Sequence, residues 1–312
     1  MADKKVTVVV PVYADWSSLE DCIDSLKQYL GGKHKLILVN DCGPEADLLE
    51  KNIKEAVKDH KDFYYYRNPR NLGFVKTCNR AVLELDRTDN DILLLNSDTK
   101  VTEGFLEEML AVLYSDSKIG AVSPRTNNAT IFTFPLSAIY QKGIDPDESY
   151  DLFKKYKAKF PQYNEVPTAH GFCMLIRGSL IEKYGLFDEV FGRGYGEEVD
   201  LCQRIAKHGW LSVLSNRSYV FHLEARSFSL EAKAKILKKS NEIIRSRYPT
   251  YKQAVTDYIE EALVQEKWIM GKHADNEIPY KLNKSTETLK KIIRRNESVY
   301  RLAKAIKRRV RG

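Results

Sequence analysis

Through its first 120 residues the chain alternates short apolar, β-branched runs with amphipathic helical stretches, which restricts it to a largely parallel sheet covered on both faces. Residues 5–13, KVTVVVPVY, are almost continuously apolar, the pattern of a central buried strand. Ser17 or Ser18 is placed to cap a helix to about Leu30, with Leu19, Cys22, Ile23 and Leu26 at helical spacing and Gly31-Gly32 as its stop. Residues 35–39 predict a second strand ending at Asn40-Asp41, residues 45–58 a second helix, and residues 63–67 a third strand. The loop Asn68-Pro69-Arg70-Asn71-Leu72-Gly73 opens a helix to about Leu85. Residues 92–95 then predict a fourth strand that ends at Asn96-Ser97-Asp98.

Shorter strands are expected near 119–123, 172–177 and 211–214, so the sheet is extended and mixed. Residues 125–168, rich in Asn, Pro, Tyr and Lys, read as an insertion over the active-site face with a helix near 148–159. The expected organisation is an α/β nucleotide-binding domain over 1–230, a helical extension over 231–288 and a basic amphipathic tail over 289–312. Along that tail Leu289, Ile292, Ile293, Val299, Ala303, Ile306 and Val310 recur near helical spacing among Lys and Arg, a pattern that suits either an anionic lipid surface or a packed helix.

Charge separates the tail from the rest. The formal net charge is +7, yet residues 289–312 hold ten Lys or Arg against one Glu, leaving the first 288 residues near −2. Nucleic-acid binding is not expected, because the basic segment lacks interleaved aromatics and a recognised module. Hydrophobic residues at 43% and charged residues at 30% exclude disorder over most of the chain. The five cysteines, Cys22, Cys42, Cys78, Cys173 and Cys202, show no C-x-x-C spacing and fit reduced thiols in a cytoplasmic setting. No apolar run approaches the roughly 20 residues that cross a bilayer, so the expectation is a cytoplasmic protein, peripheral at most on the inner face of the membrane.

In a parallel α/β sheet ligands bind beyond the carboxyl ends of the strands, where Asp41 and Asp98 both fall. Either could be a turn residue or a helix cap; together they point to one site. Asn96 and Asp98 are two apart on an extended segment, so both side chains can face one ligand. A hard cation such as Mn²⁺ or Mg²⁺ takes much of its oxygen shell from phosphates and water, so Asp98 alone can serve as its carboxylate, with Asn96 bonding sugar or ribose. Further on, Gly192, Gly194 and Gly196 precede Glu197, Glu198 and Asp200. Crowded carboxylates raise one another's proton affinity, which suits a general base, although acids also favour a helix start. His222, after Ser-Tyr-Val-Phe, reads equally as a metal ligand through neutral imidazole or as a core or surface histidine.

The sequence resembles the family 2 glycosyltransferases of the GT-A fold, particularly bacterial rhamnosyltransferase-like members. The resemblance rests on VVVPVY at 8–13, VNDCG at 39–43, NPRNLGF at 68–74 with Asn79, LLNSDT at 94–99, AHGFCMLIRG at 169–178, GLFDEVFGRGYGEEVDLCQR at 185–204 and HLEARSF at 222–228. It covers about residues 5–230, and the order and spacing of the pieces carry its specificity. It implies that Asp41 contacts the nucleobase, that Pro11, Val12 and Tyr13 frame the nucleotide, and that Asn71, Gly73 and Lys76 lie beside the nucleotide and its phosphates. Asp98 matches the metal-binding acid and Glu198 the catalytic base, with Asp200 as a rival base. His170 and Gly171 are implied on the sugar or acceptor side. Two departures stand out. Asn96 replaces the first acid of the family's metal motif, and Glu198 stands where Asp is commoner.

The implied reaction is a metal-assisted, inverting single displacement from a nucleoside-diphosphate sugar, dTDP- or UDP-linked, to a lipid-linked or oligosaccharide acceptor in bacterial cell-surface polysaccharide assembly. Two other readings compete: a nucleotide-binding scaffold with the same fold but no transferase activity, and a nucleotidyltransferase. The second usually carries a glycine- and lysine-rich phosphate loop after the first strand, where this chain has PVYADWSS. A dinucleotide-binding dehydrogenase is argued against by the absence of G-x-G-x-x-G.

Overall fold

The computed structural model describes residues 4–140, 143–223 and 230–271. Its first half follows the alternation in the sequence: β1 (Val6–Val12), α1 (Trp16–Tyr29), β2 (Lys35–Asn40), α2 (Ala46–Val57), β3 (Phe63–Arg67), α3 (Phe74–Arg80) and β4 (Asp91–Leu95). The backbone of α3 widens into a π turn over Ala81–Leu85, which accounts for the longer helix expected there. The cap of α1 is Asp15 rather than Ser17 or Ser18. Its carboxylate accepts from the Ser18 hydroxyl at 2.7 Å, so Ser18 is the donor to the cap.

Next come β5 (Thr99–Val101), α4 (Phe105–Leu113), β6 (Ile119–Arg125), α5 (Pro146–Tyr156), β7 (Tyr163–Val166), β8 (Cys173–Ile176), α6 (Gly178–Tyr184), α7 (Glu197–Ala206) and β9 (Leu211–His222). Two helices close the described chain, α8 (Leu230–Arg247) and α9 (Tyr251–Met270). The strands form one sheet in the order β3-β2-β1-β4-β8-β6-β9-β5, and β7 also pairs with β9. From β3 to β4 every pairing is parallel; β8 is antiparallel to both β4 and β6. The chain winds outward from β1 through β2 to β3 and returns to β4 on the other side of β1. That reversal opens a crevice beyond the carboxyl ends of β1 and β4.

Packing explains why β1 is apolar on both faces. Val6, Val8, Val10 and Val12 join a core with α1, α2 and α4, whereas Val9 points into a second core with α3, α6 and α7. Each fully buried valine contributes about 1.5–3 kcal/mol, so the strand is anchored from two sides. The C-terminal helices share these cores: Ile244 and Tyr248 enter the second, Tyr258, Ala262 and Leu263 the first. Most of the expected insertion folds away from the crevice, packing Phe134, Phe153, Tyr156 and Phe160 around Tyr219 and Met270. Arg125 on β6 and Glu266 on α9 form an ion pair at 3.4 Å, each side chain 1% exposed.

The expected basic tail over 289–312 lies outside the described residues, as does the extension beyond 271. No helix among the described residues is long and apolar enough to cross a membrane. All five cysteines are free thiols.

Candidate active site

The crevice is a cleft of about 890 Å³. Pro11, Val12 and Tyr13 bring the end of β1 to it, Asp41 follows β2, Asn71 and Gly73 follow β3, and Asn96 and Asp98 follow β4. His170 and Gly171 precede β8, Glu197 and Glu198 begin α7, and His222 ends β9; all of these line the same cleft.

Asp41 ties one wall of the cleft together. Its Oδ1 accepts from Asn68 Nδ2 at 2.7 Å and from the Leu72 N–H at 2.8 Å, and its Oδ2 accepts from the Gly73 N–H at 2.9 Å. One carboxylate thus fixes the loop after β3 against the end of β2 and leaves Oδ2 with a second lone pair. Gly43 serves the same wall: a Cβ there would lie 1.7 Å from the Tyr13 carbonyl oxygen.

Asp98 and His222 converge because β5 pairs with β9, with Thr99 opposite His222. Their Oδ1 and Nε2 atoms are 3.5 Å apart. His222 Nδ1 lies 2.7 Å from the Asn128 carbonyl oxygen, which has no proton to give, so Nδ1 carries the hydrogen. In the neutral ring Nε2 then keeps its lone pair beside Asp98, the tautomer a metal ligand requires. Phe172 stacks on the His222 ring at 5.2 Å and holds its plane. The carboxylate and the imidazole fit a divalent cation whose other ligands are phosphate and water. No group of three or more His, Cys, Asp or Glu side chains suited to a metal occurs among the described residues.

His170 is the complementary tautomer. Its Nδ1 accepts from the Phe172 N–H at 3.3 Å, leaving Nε2–H as a donor. Burial, and then the neighbouring His222, push its pKa down to about 3, so the ring is neutral at physiological pH.

At the start of α7, burial holds both Glu197 and Glu198 above the usual carboxylate range, and the charge of Glu198 raises Glu197 further. Glu198 Oε2 accepts from the Gly196 N–H at 3.0 Å. Glu197 is 4% exposed, and its Oε2 has no hydrogen-bond partner. Two expected residues lie elsewhere. Asp200 is fully buried and does not line the cleft; its oxygens accept from Arg204 at 2.7 Å, Arg247 at 2.7 Å and Tyr248 at 2.8 Å, the geometry of a structural carboxylate. Lys76 is also off the cleft lining, paired with Glu189 at 3.3 Å.

The cleft contains residues that the sequence did not single out, among them Asp15, Thr77, Asn128, Thr130, Arg193 and Tyr195. Asn128 and Thr130 reach it through an aperiodic loop, where residue pattern carries no positional signal. Arg193 sits inside the glycine-rich stretch and was legible as part of that motif.

The sequence model for glycosyl transferase family 2 matches residues 7–185. This chain belongs to glycosyl transferase family 2. N-acetylglucosaminyl-diphospho-decaprenol L-rhamnosyltransferase of Mycobacterium tuberculosis (strain H37Rv) is 25% identical to this family 2 chain over 177 residues, covering 50% of the chain and 57% of the relative. Low-salt glycan biosynthesis hexosyltransferase Agl10 of Haloferax volcanii is 26% identical over 157 residues, 46% of the chain and 47% of the relative. The chain therefore spans about half the length of the curated relatives it matches. Among solved structures, mannosyltransferase PcManGT from Pyrobaculum calidifontis in complex with GDP-Man and Mn²⁺ superposes with a TM-score of 0.54 at 15% identity, covering 88% of this chain and 76% of that one. GalNAc-T7 with UDP, GalNAc and Mn²⁺ gives 0.60 at 15% identity, covering 93% and 54%. At such identities the likeness establishes the GT-A fold of this family 2 chain and no more.

Proposed function

We propose that the cleft binds a nucleoside-diphosphate sugar and transfers the sugar, with inversion, to an acceptor hydroxyl. One observation carries this reading: the Asp98–His222 pair and the Glu197–Glu198 pair, distant in sequence, line one cleft at the carboxyl edge of the sheet. Asp41, Asn71, Gly73 and the end of β1 would frame the nucleotide, with Asn96 toward ribose or sugar. Asp98 and His222 would hold Mn²⁺ or Mg²⁺, which when bound offsets charge on the departing diphosphate. An imidazole in the donor set favours Mn²⁺, since Mg²⁺ prefers an all-oxygen shell.

Glu198 is the base. Its carboxylate takes the proton of the acceptor hydroxyl as that oxygen bonds to the anomeric carbon, and the bond from that carbon to the diphosphate oxygen breaks with its electron pair. No covalent intermediate with the protein forms, so configuration inverts. The neutral His170 Nε2–H would donate to a sugar or acceptor oxygen beside Gly171, and Glu197 Oε2 would accept from a sugar hydroxyl. The rhamnosyltransferase relative, named for a diphospho-decaprenol acceptor, supports a lipid-linked acceptor. The donor in this reading is dTDP- or UDP-linked, an oligosaccharide is the other acceptor, and the role is cell-surface glycan assembly. We place the enzyme in the cytoplasm, with inner-leaflet contact through 289–312.

The test is thermal stability with UDP, dTDP and GDP, each with Mn²⁺, Mg²⁺ or chelator. Ligand at 100 times its dissociation constant adds about 2.7 kcal/mol of stability. Metal-dependent stabilisation by one nucleotide, lost in Asp98→Ala, is expected. Folded protein that responds to none of them refutes the donor site.

A further inference from the structure

The ligand proposed above is an anion, yet the cleft that would take it is rich in carboxylates. Asp15, Asp41, Asp98, Glu197 and Glu198 line it, against a single Lys or Arg among the described lining residues, Arg193. A nucleoside diphosphate brings at least a dianion, and one divalent ion does not neutralise both it and the acid walls. A fixed cation is needed on the phosphate side, and Arg193 is the side chain placed to supply it.

The local sequence explains how Arg193 gets there. Gly192 (φ 59°), Gly194 (φ 114°) and Gly196 (φ 106°) adopt left-handed backbone that other residues resist. These turns lay the arginine across the loop after β3. A Cβ built on Gly73 would be 3.3 Å from the Gly192 carbonyl oxygen and 3.6 Å from both Cα and Cγ of Arg193. Gly73 is itself tied to Asp41. Arg193 is therefore seated directly on the wall that would hold the nucleotide. It is exposed, and it has no ion pair with any described residue, whereas Arg67, Arg125, Arg204 and Arg247 are each committed to carboxylates.

We propose that Arg193 pairs with the non-bridging oxygens of the donor diphosphate and offsets the charge left there when the bond to the sugar breaks. A guanidinium offers two parallel N–H donors to such oxygens, a geometry an ammonium cannot copy. The proposal rests on the donor-site reading and adds to it the residue that distinguishes a diphosphate from a bare nucleoside.

The experiment is a binding titration of the full chain and its Arg193→Ala and Arg193→Lys variants, with Mn²⁺ present. The probes are UDP, dTDP and GDP, with the matching nucleoside for whichever binds. Arg193→Ala should weaken the diphosphate by roughly 10- to 100-fold, the value of a charge-assisted hydrogen bond, and leave the nucleoside within about twofold. Arg193→Lys should recover part of that loss, and kcat/KM for transfer should fall in the same order. Equal weakening of nucleoside and diphosphate would mean that Arg193 only supports the Gly73 loop, and overturns the proposal. Unchanged diphosphate affinity in Arg193→Ala overturns it too while leaving the donor site standing. Wild-type protein that binds no nucleoside diphosphate overturns both.

Discussion

Glu197 and Glu198 are neighbours in sequence, but their carboxylates are held differently: one Glu198 oxygen is hydrogen-bonded to the backbone, whereas a Glu197 oxygen is buried without a partner. Burial raises both, and the charge of Glu198 raises Glu197 further, so Glu198 gives up its proton first and the pair ionises over a range above the ordinary carboxylate value. A base must be ionised to act, so kcat/KM should climb with pH through that raised range. Glu197→Gln imitates the protonated Glu197 that accompanies this first ionisation, so the acid limb of the profile should stay near its wild-type position; a limb moved to lower pH would mean that Glu197 already carries charge while Glu198 titrates. Glu198→Gln should cost roughly 10²–10⁴ in kcat while sparing nucleotide affinity. Kinetics and titration on the same preparation decide between a base and a binding residue. At Gly43 the prediction is steric. A methyl group cannot fit 1.7 Å from the Tyr13 carbonyl oxygen, so Gly43→Ala must push the end of β1 and weaken nucleotide binding together with stability. Thermal midpoint with and without nucleotide checks both.

The regular elements of the first half were legible because each repeats a simple period: β1, β2 and β3 fall within a residue or so of the spans read from apolar runs, and the turns after them deliver Tyr13, Asp41 and Asn71 to the cleft. Spacing could not reveal the pairing of distant strands. His222 was legible as a strand-end histidine that could ligate a metal or sit in the core; that it meets Asp98 follows from β5 pairing with β9 across more than a hundred residues. Asp200 shows the opposite limit. Two residues past the glutamate pair it reads as another acid, but a helix turns each residue by about 100°, and Asp200 lands on the face toward α8. There Arg247 joins Asp200 to Asp188, clamping α8 against the start of α7. Asp200→Asn should therefore lower stability by about 1–3 kcal/mol, since it weakens charge-assisted bonds to two arginines. The kcat of the protein that remains folded should stay within about tenfold of wild type. A loss of kcat as deep as that of Glu198→Gln, at unchanged stability, would restore Asp200 as the base.

Across the whole molecule, the C-terminal helices are joined to the sheet by a buried charge whose contribution depends on pH. Glu266 on α9 meets Arg125 on β6, and its other oxygen accepts from the Leu136 N–H at 2.6 Å. Burial lifts its pKa to about 7, the pull of Arg125 in the other direction notwithstanding. Arg125 is not stranded when Glu266 is protonated, because it also bonds Asn216 and lies 5.3 Å from the centre of the Phe134 ring. With the folded pKa above the unfolded one, the native state binds more protons between about pH 4.5 and 7, so stability falls as pH rises through that window and levels off above it. Glu266→Gln keeps an acceptor for Leu136 but cannot ionise. Its stability should fall less than that of wild type over the same window, by an amount on the order of 3 kcal/mol. Glu197 and Glu198 add slopes of the same sign in both proteins and cancel in the difference. Glu266→Ala removes the partner outright and leaves the Arg125 charge buried, a loss of about 3–5 kcal/mol. Urea midpoints for the three proteins from pH 4 to 8 separate these effects: parallel curves for wild type and Glu266→Gln would show that Glu266 ionises as easily folded as unfolded, and that the burial of α9 against β6 is looser than this packing requires.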